Sequence, residues 1–272
     1  MKKVITAAIL AVIAPRWTTS TASDTAPPGL YRSIVYDIYA ALDLARHPAL
    51  HLRPEWMREL AQHEHTYIRE NLAENPAIGE FPEVVRILGG DGDWRVRQSL
   101  ARNPALASSP AVIRALAADY FWLVRRHVAY NPAIGEFPDI IDKLFHAADP
   151  AIRYAIAENP AIADYPDLAN ALAGDRNHDV RSALAQNPAI YRCPEVVQTL
   201  ASSRVWLVRW NLAENPAIGE FPEVVRILGG DGDWRVRQSL ARNPAIANSR
   251  ETAGGGGDIA HRNCAKTGGK MQ

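Results

Sequence analysis

The chain has 272 residues, with 30 basic and 30 acidic side chains, so its formal net charge is zero; 47% of it is hydrophobic, as in an ordinary soluble protein. Its two cysteines cannot build a disulfide framework. No Cys-x-x-Cys pair is present, so a metal site has no candidate ligands and no cofactor is expected.

Met1-Lys2-Lys3 and the run from Val4 to Ala14 read as a secretory signal, because the run is too short to span a bilayer. Residues 1–22 are the expected signal peptide, with Ser20-Thr21-Ala22 as its small-residue cleavage site, which implies export to a periplasm or the exterior. A cytoplasmic chain with an N-terminal extension is the alternative. Residues 23–30 read as a linker. From residue 31, Ile34, Val35, Ile38, Tyr39 and Leu42 recur at helical spacing, and residues 31–53 form the expected N-terminal capping half repeat.

A fixed period then takes over. Asn-Pro-Ala recurs at Asn75, Asn103, Asn131, Asn159, Asn187, Asn215 and Asn243, each 28 residues after the last, with a His47 variant before the first. An arginine keeps the same step at Arg69, Arg97, Arg125, Arg153, Arg181, Arg209 and Arg237, and so does a second proline from Pro54 to Pro222. Such a period marks a solenoid, whose units bury their apolar faces against one another. Seven units fill residues 54–249. In each, the second proline opens a short helix, as in Pro82-Glu83-Val84-Val85-Arg86-Ile87-Leu88. A turn rich in Gly and Asp follows, and Asp93 is placed to cap the second helix that begins at Trp94. That helix stops at Asn103, since a residue before proline is pushed out of the α region; the asparagine is expected to cap a short 3₁₀ turn. Residues 71–105 and 211–245 are identical, which indicates recent block duplication or gene conversion. After Ser249 the period fails, and 250–272 read as a disordered Gly-rich tail.

Asn-Pro-Ala, Pro-x-Val-x-x-x-Leu and Asp-x-Asp-Trp-x-Val-Arg-x-x-Leu-Ala together resemble the leucine-rich repeat variant family over about three quarters of the chain. The resemblance implies an all-α fold: a right-handed α-solenoid superhelix of 28-residue two-helix repeats, α-helices alternating with short α or 3₁₀ helices, without strands. The chain lacks that family's N-terminal cysteine cluster, so no redox role is carried over. HEAT repeats are the second resemblance, through an aspartate six residues before the helix arginine (Asp91/Arg97, Asp119/Arg125, Asp175/Arg181, Asp231/Arg237) in four of seven units.

With about 100° per residue, the slots of Val96, Arg97, Leu100 and Ala101 share one arc of the second helix and barely vary. An arginine there is expected to lay its stem along the neighbouring unit and give its fork to turn carbonyls or to Asp91. Charge agrees with that reading. Residues 47–249 hold 21 basic against 25 acidic side chains, and the second helices are balanced once the ladder is set aside. A nucleic-acid-binding solenoid using the ladder is therefore the alternative rather than the first expectation.

The varying arc carries the candidate binding residues: Trp94, Trp122, Arg126, Tyr154, Trp206, Trp210 and Trp234. Tryptophan, tyrosine and arginine are the residues of binding hot spots. For Trp94, Trp122, Trp206 and Trp234, packing on the turn of the adjacent unit is the other open reading. His63-Glu64-His65, with His51, fits no zinc spacing and reads as a solvated turn. Cys193 stands in the slot of Phe81, Phe137, Tyr165 and Phe221 and reads as a buried filler. No phosphate loop or nucleophile elbow is present. The expectation is a non-enzymatic, monomeric scaffold that binds a protein or peptide partner along its second helices.

Overall fold

The structure is a computed structural model, and its described residues run from 38 to 246. The signal peptide (1–22), the linker (23–30) and the tail (250–272) read from the sequence lie outside them. All regular structure among the described residues is helical. The chain forms two compact units, up to Ile140 and from Ile141 on, each considered by itself.

In the first unit, α1 (Ile38–Ala45) leads through a 3₁₀ turn (Pro48–Leu52) into α2 (Pro54–Ala61) and α3 (Thr66–Glu74). Then follow α4 (Pro82–Gly89), α5 (Trp94–Arg102), α6 (Pro110–Leu116), α7 (Trp122–Tyr130) and the start of α8 (Pro138–Phe145). The second unit holds α9 (Pro150–Glu158), α10 (Pro166–Ala173), α11 (His178–Gln186), α12 (Pro194–Ala201), α13 (Trp206–Glu214), α14 (Pro222–Gly229) and α15 (Trp234–Arg242). Before each first helix after α2 stands a five-residue 3₁₀ turn opened by Pro-Ala, such as Pro76–Glu80.

Within each unit, like packs on like. Second helices lie against second helices (α1, α3, α5, α7; then α9, α11, α13, α15), first helices against first helices, and 3₁₀ turns against 3₁₀ turns. This is the repeated packing of a solenoid. The sequence explains each joint. Proline occupies the first turn of every first helix, where its missing N–H costs nothing. Asp93 accepts from the Arg95 amide at 2.9 Å, the expected cap. Asn103 is extended (φ −73, ψ 122) ahead of Pro104, which ends α5. The core is the periodic apolar set, with Val84, Val85, Leu88, Val96, Leu100 and most of their counterparts almost wholly buried. Cys193 is buried among them, its Sγ 3.6 Å from the Ala163 carbonyl.

The asparagines do more than cap. In every repeat the Oδ1 accepts the amide two residues on, as in Ala105 N–H to Asn103 at 2.9 Å. For Asn75, Asn103 and Asn131 in the first unit, and Asn187, Asn215 and Asn243 in the second, the Nδ2 also donates twice to the preceding repeat. The acceptors lie 30 residues back (2.8–2.9 Å) and 28 residues back (2.9–3.1 Å). The second acceptor is the carbonyl of the preceding asparagine itself, so the amides form a buried ladder. For Asn75 the two acceptors are the carbonyls of Ala45 and His47, and residues 31–37 of the expected capping half repeat lie outside the described residues.

Replacing Asn103 by Ala removes three hydrogen bonds, those to the Ala73 and Asn75 carbonyls and from the Ala105 amide, while the Asn75 carbonyl keeps the Ile78 amide at 3.2 Å. At about 1 kcal/mol for each bond, urea unfolding of Asn103→Ala shows a loss of roughly 3 kcal/mol. A loss below about 0.5 kcal/mol contradicts the ladder's role.

Candidate functional site

The arginine ladder runs between repeats: Arg97 takes the turn carbonyls expected for it, but its carboxylate partner is Asp119 and not Asp91. The Arg97 Nη1 donates to the Asp91 main-chain carbonyl at 2.6 Å, while its Nε and Nη2 grip the carboxylate of Asp119, 22 residues later in the following turn. The Asp91 carboxylate is instead taken by Arg69 of the preceding repeat. Arg153–Asp175 and Arg209–Asp231 repeat the geometry in the second unit, at 2.5–2.6 Å for Nε and 2.9–3.1 Å for Nη2. Each aspartate also accepts a turn amide two residues on, at 2.8 Å. An Asp side chain reaches forward through its own turn and backward to an arginine, which the same-unit spacing could not reveal.

Arg125 and Arg181 have Ala147 and Ser203 at the position 22 residues on. Arg125 donates to the main-chain carbonyls of Asp119 and Tyr120, and Arg181 to that of Asp175. Arg97 and Arg153 are only 6% and 8% exposed. Arg69, Arg97, Arg153 and Arg209, each held by a carboxylate and a carbonyl, have little left to offer a phosphate.

His63 stands one period before Asp91 and does its work: its Nδ1 accepts the His65 amide at 3.1 Å and its side chain is buried. The solvated turn expected for His63 is therefore corrected. The ring fills the space that the aspartate fills elsewhere. Among the described residues no group of three or more His, Cys, Asp or Glu is placed to hold a metal ion, and no helix is long and apolar enough to cross a membrane.

The binding candidates divide. Trp94 is half-buried and stacks on Phe121 of the next turn at 4.4 Å, which is the packing alternative. Arg126, Tyr154 and Trp210, placed on the varying arc, are half-buried rather than exposed. Arg126 lies over the Tyr130 ring at 5.2 Å and donates to its hydroxyl at 3.1 Å. Trp122 is 39% exposed. The varying arc is narrower than the wheel implies: Ser99 is buried at the seam with α3, its hydroxyl donating to Glu74 at 3.2 Å.

Three candidates do come together. Trp206 and Trp210 on α13 and Trp234 on α15 line one open groove of about 710 Å³. The Arg235 guanidinium lies 4.5 Å from the Trp206 ring centre and 5.7 Å from that of Trp234, bridging the two helices. Glu214, Gln238, Ser239 and Arg242 complete the walls. Trp206 and Trp234 remain 36% and 57% exposed. Arg235, Glu214 and Ser239 carry no signal of their own in the sequence, because the groove forms between two helices and not along one.

The duplicated block supplies an internal comparison. Residues 71–105 repeat at 211–245, but ahead of the first copy stand Thr66 and Glu70 where Trp206 and Trp210 precede the second. There, burial and the neighbouring Glu74 push the Glu70 carboxyl above its ordinary range. Arg95 stacks on its own Trp94 at 5.1 Å. Two side chains thus put a carboxyl and a threonine in the first copy where the second has two indoles.

Comparison with protein-family models and with curated proteins finds no match for this chain.

The carboxyl pKa shifts give a pH dependence. The Arg209 hydrogen bond holds Asp231 below the ordinary carboxylate range; for Asp175 burial pulls upward, and the Arg153 guanidinium with the Asn177 amide overcomes it. In the window between the lowered and the ordinary values, near pH 4 and below, the unfolded chain binds more protons than the folded one, so stability rises with pH. This contribution is complete above about pH 4 and is lost as pH falls through the lowered values. Urea unfolding followed from about pH 6 to pH 2.5 shows a smaller acid loss in an Asp175→Asn/Asp231→Asn variant than in the parent. Equal slopes overturn the assignment.

Proposed function

We propose that the protein is a non-enzymatic repeat scaffold that binds a peptide segment of a partner protein on the surface of its second helices, at the groove between α13 and α15. The observation that carries this reading is the cluster of Trp206, Trp210 and Trp234 around Arg235, with two of the indoles open to solvent. Exposed aromatic clusters bridged by arginine are the composition of binding hot spots. Weighing against nucleic acid as the partner is the consumption of the arginine ladder by carbonyls and carboxylates within the fold. The motif resemblance to leucine-rich repeat variants is in keeping with a scaffold, and we place the chain beside them on those motifs.

The test uses residues this fold already accepts at the matching positions. A Trp206→Thr/Trp210→Glu variant copies Thr66 and Glu70, so its melting temperature stays within about 3 °C of the parent. Peptides selected from a random display library on the full chain bind the variant at least about tenfold more weakly, which is about 1.4 kcal/mol. Selected peptides that bind both proteins alike, or a library that yields none, overturn the proposal.

A further inference from the structure

We infer that the ligand of this groove is a proline-rich segment in the polyproline II conformation; the inference rests on the peptide-binding reading and specifies its ligand. Spacing is the first reason. Trp206 and Trp234 share one guanidinium at 4.5 and 5.7 Å, so their ring centres stand no more than about 10 Å apart. A polyproline II strand rises about 3.1 Å per residue with three residues per turn, so equivalent side chains recur about every 9 Å. That repeat falls within the bound, so prolines three apart are able to meet one indole and then the other.

Hydrogen bonding is the second reason. Polyproline has no N–H to donate and makes no internal hydrogen bonds, so its carbonyls all seek donors. The groove is rich in donors. The indole N–H groups of Trp206, Trp210 and Trp234 can only donate, and Arg235 sits between two of the rings. Ser239, also in the wall, has a buried hydroxyl with no hydrogen-bond partner. Its twin Ser99 spends the same hydroxyl on Glu74.

Charge is the third. Arg235 lies 3.6 Å from Asp233, and Arg242 shares the groove with Glu214. Two cations matched by two carboxylates give no pull on an acidic peptide or a polyanion, whereas a neutral strand with bare carbonyls fits them. An extended strand also suits these indole donors better than a helix, whose carbonyls are already occupied.

The experiment titrates acetylated, amidated L-decaproline into the full chain and reads tryptophan fluorescence and calorimetric heat. The expected result is saturable binding of one peptide per chain. D-decaproline, with the same composition and the opposite hand, binds at least tenfold more weakly. Trp206→Thr and Trp234→Ala each weaken the L-peptide at least tenfold, while Trp122→Ala, in the same slot of the first unit, leaves it unchanged. No saturation at millimolar peptide, equal binding of the two hands, or indifference to Trp206→Thr overturns the inference. If proline-free peptides from the library bind the parent and fail on Trp206→Thr/Trp210→Glu while decaproline does not bind, the ligand class is wrong and the groove reading stands. If neither binds, both fall.

Discussion

A solenoid must hold each repeat to the next without a shared central core, and here one buried primary amide per repeat meets that demand. Asparagine suits the position because it combines an acceptor with two donors in a plane. The acceptor closes its own 3₁₀ turn, and the donors cross to the preceding repeat, one of them to the preceding asparagine's carbonyl. Aspartate would keep the cap and lose both crossings. Alanine would lose all three bonds. The proline that follows ends the helix at the point where the amide must turn outward, so Asn-Pro works as a pair.

The arginine–aspartate contacts form a second line of attachment, parallel to the amides and at the opposite end of the second helix. They are less uniform, since the slot holds His63, Ala147 and Ser203 as well as aspartate. The turn survives those changes where another side chain can accept the amide: His63 does so at 3.1 Å and Ser203 at 3.3 Å. What a serine there cannot supply is the carboxylate for the preceding arginine, and Arg181 keeps only its carbonyl contact. Carbonyl capture is thus common to the arginines, and carboxylate capture is an addition in some repeats.

The helical class, the 28-residue period, the proline-led first helices, the Asp93 cap and the end of each second helix at asparagine were all legible in the sequence. Each depends on local chemistry that one repeat contains. Partners across repeats were harder to read, since Asp91 is six residues from Arg97 in the chain yet serves Arg69. The same limit applied to the groove. Trp206, Trp210 and Trp234 stood out as residue types, but Arg235 gains its meaning only from an indole on the adjacent helix. Trp94 shows the converse: the same residue type in the same slot is spent on Phe121.

The duplicated block also shows how far a side chain's role depends on its neighbour. Arg97 and Arg237 sit in identical 35-residue contexts, yet Arg97 is buried against Asp119, whereas Arg237 is exposed and donates to the carbonyls of Asp231 and Gly232. If attachment between repeats is the source of the arginine's contribution, two chemically identical changes must differ. The account predicts that Arg97→Ala, which leaves the Asp119 carboxylate buried and unpaired, lowers the unfolding free energy by about 3 kcal/mol. Arg237→Ala lowers it by less than about 1 kcal/mol. Equal losses in side-by-side urea unfolding would contradict it.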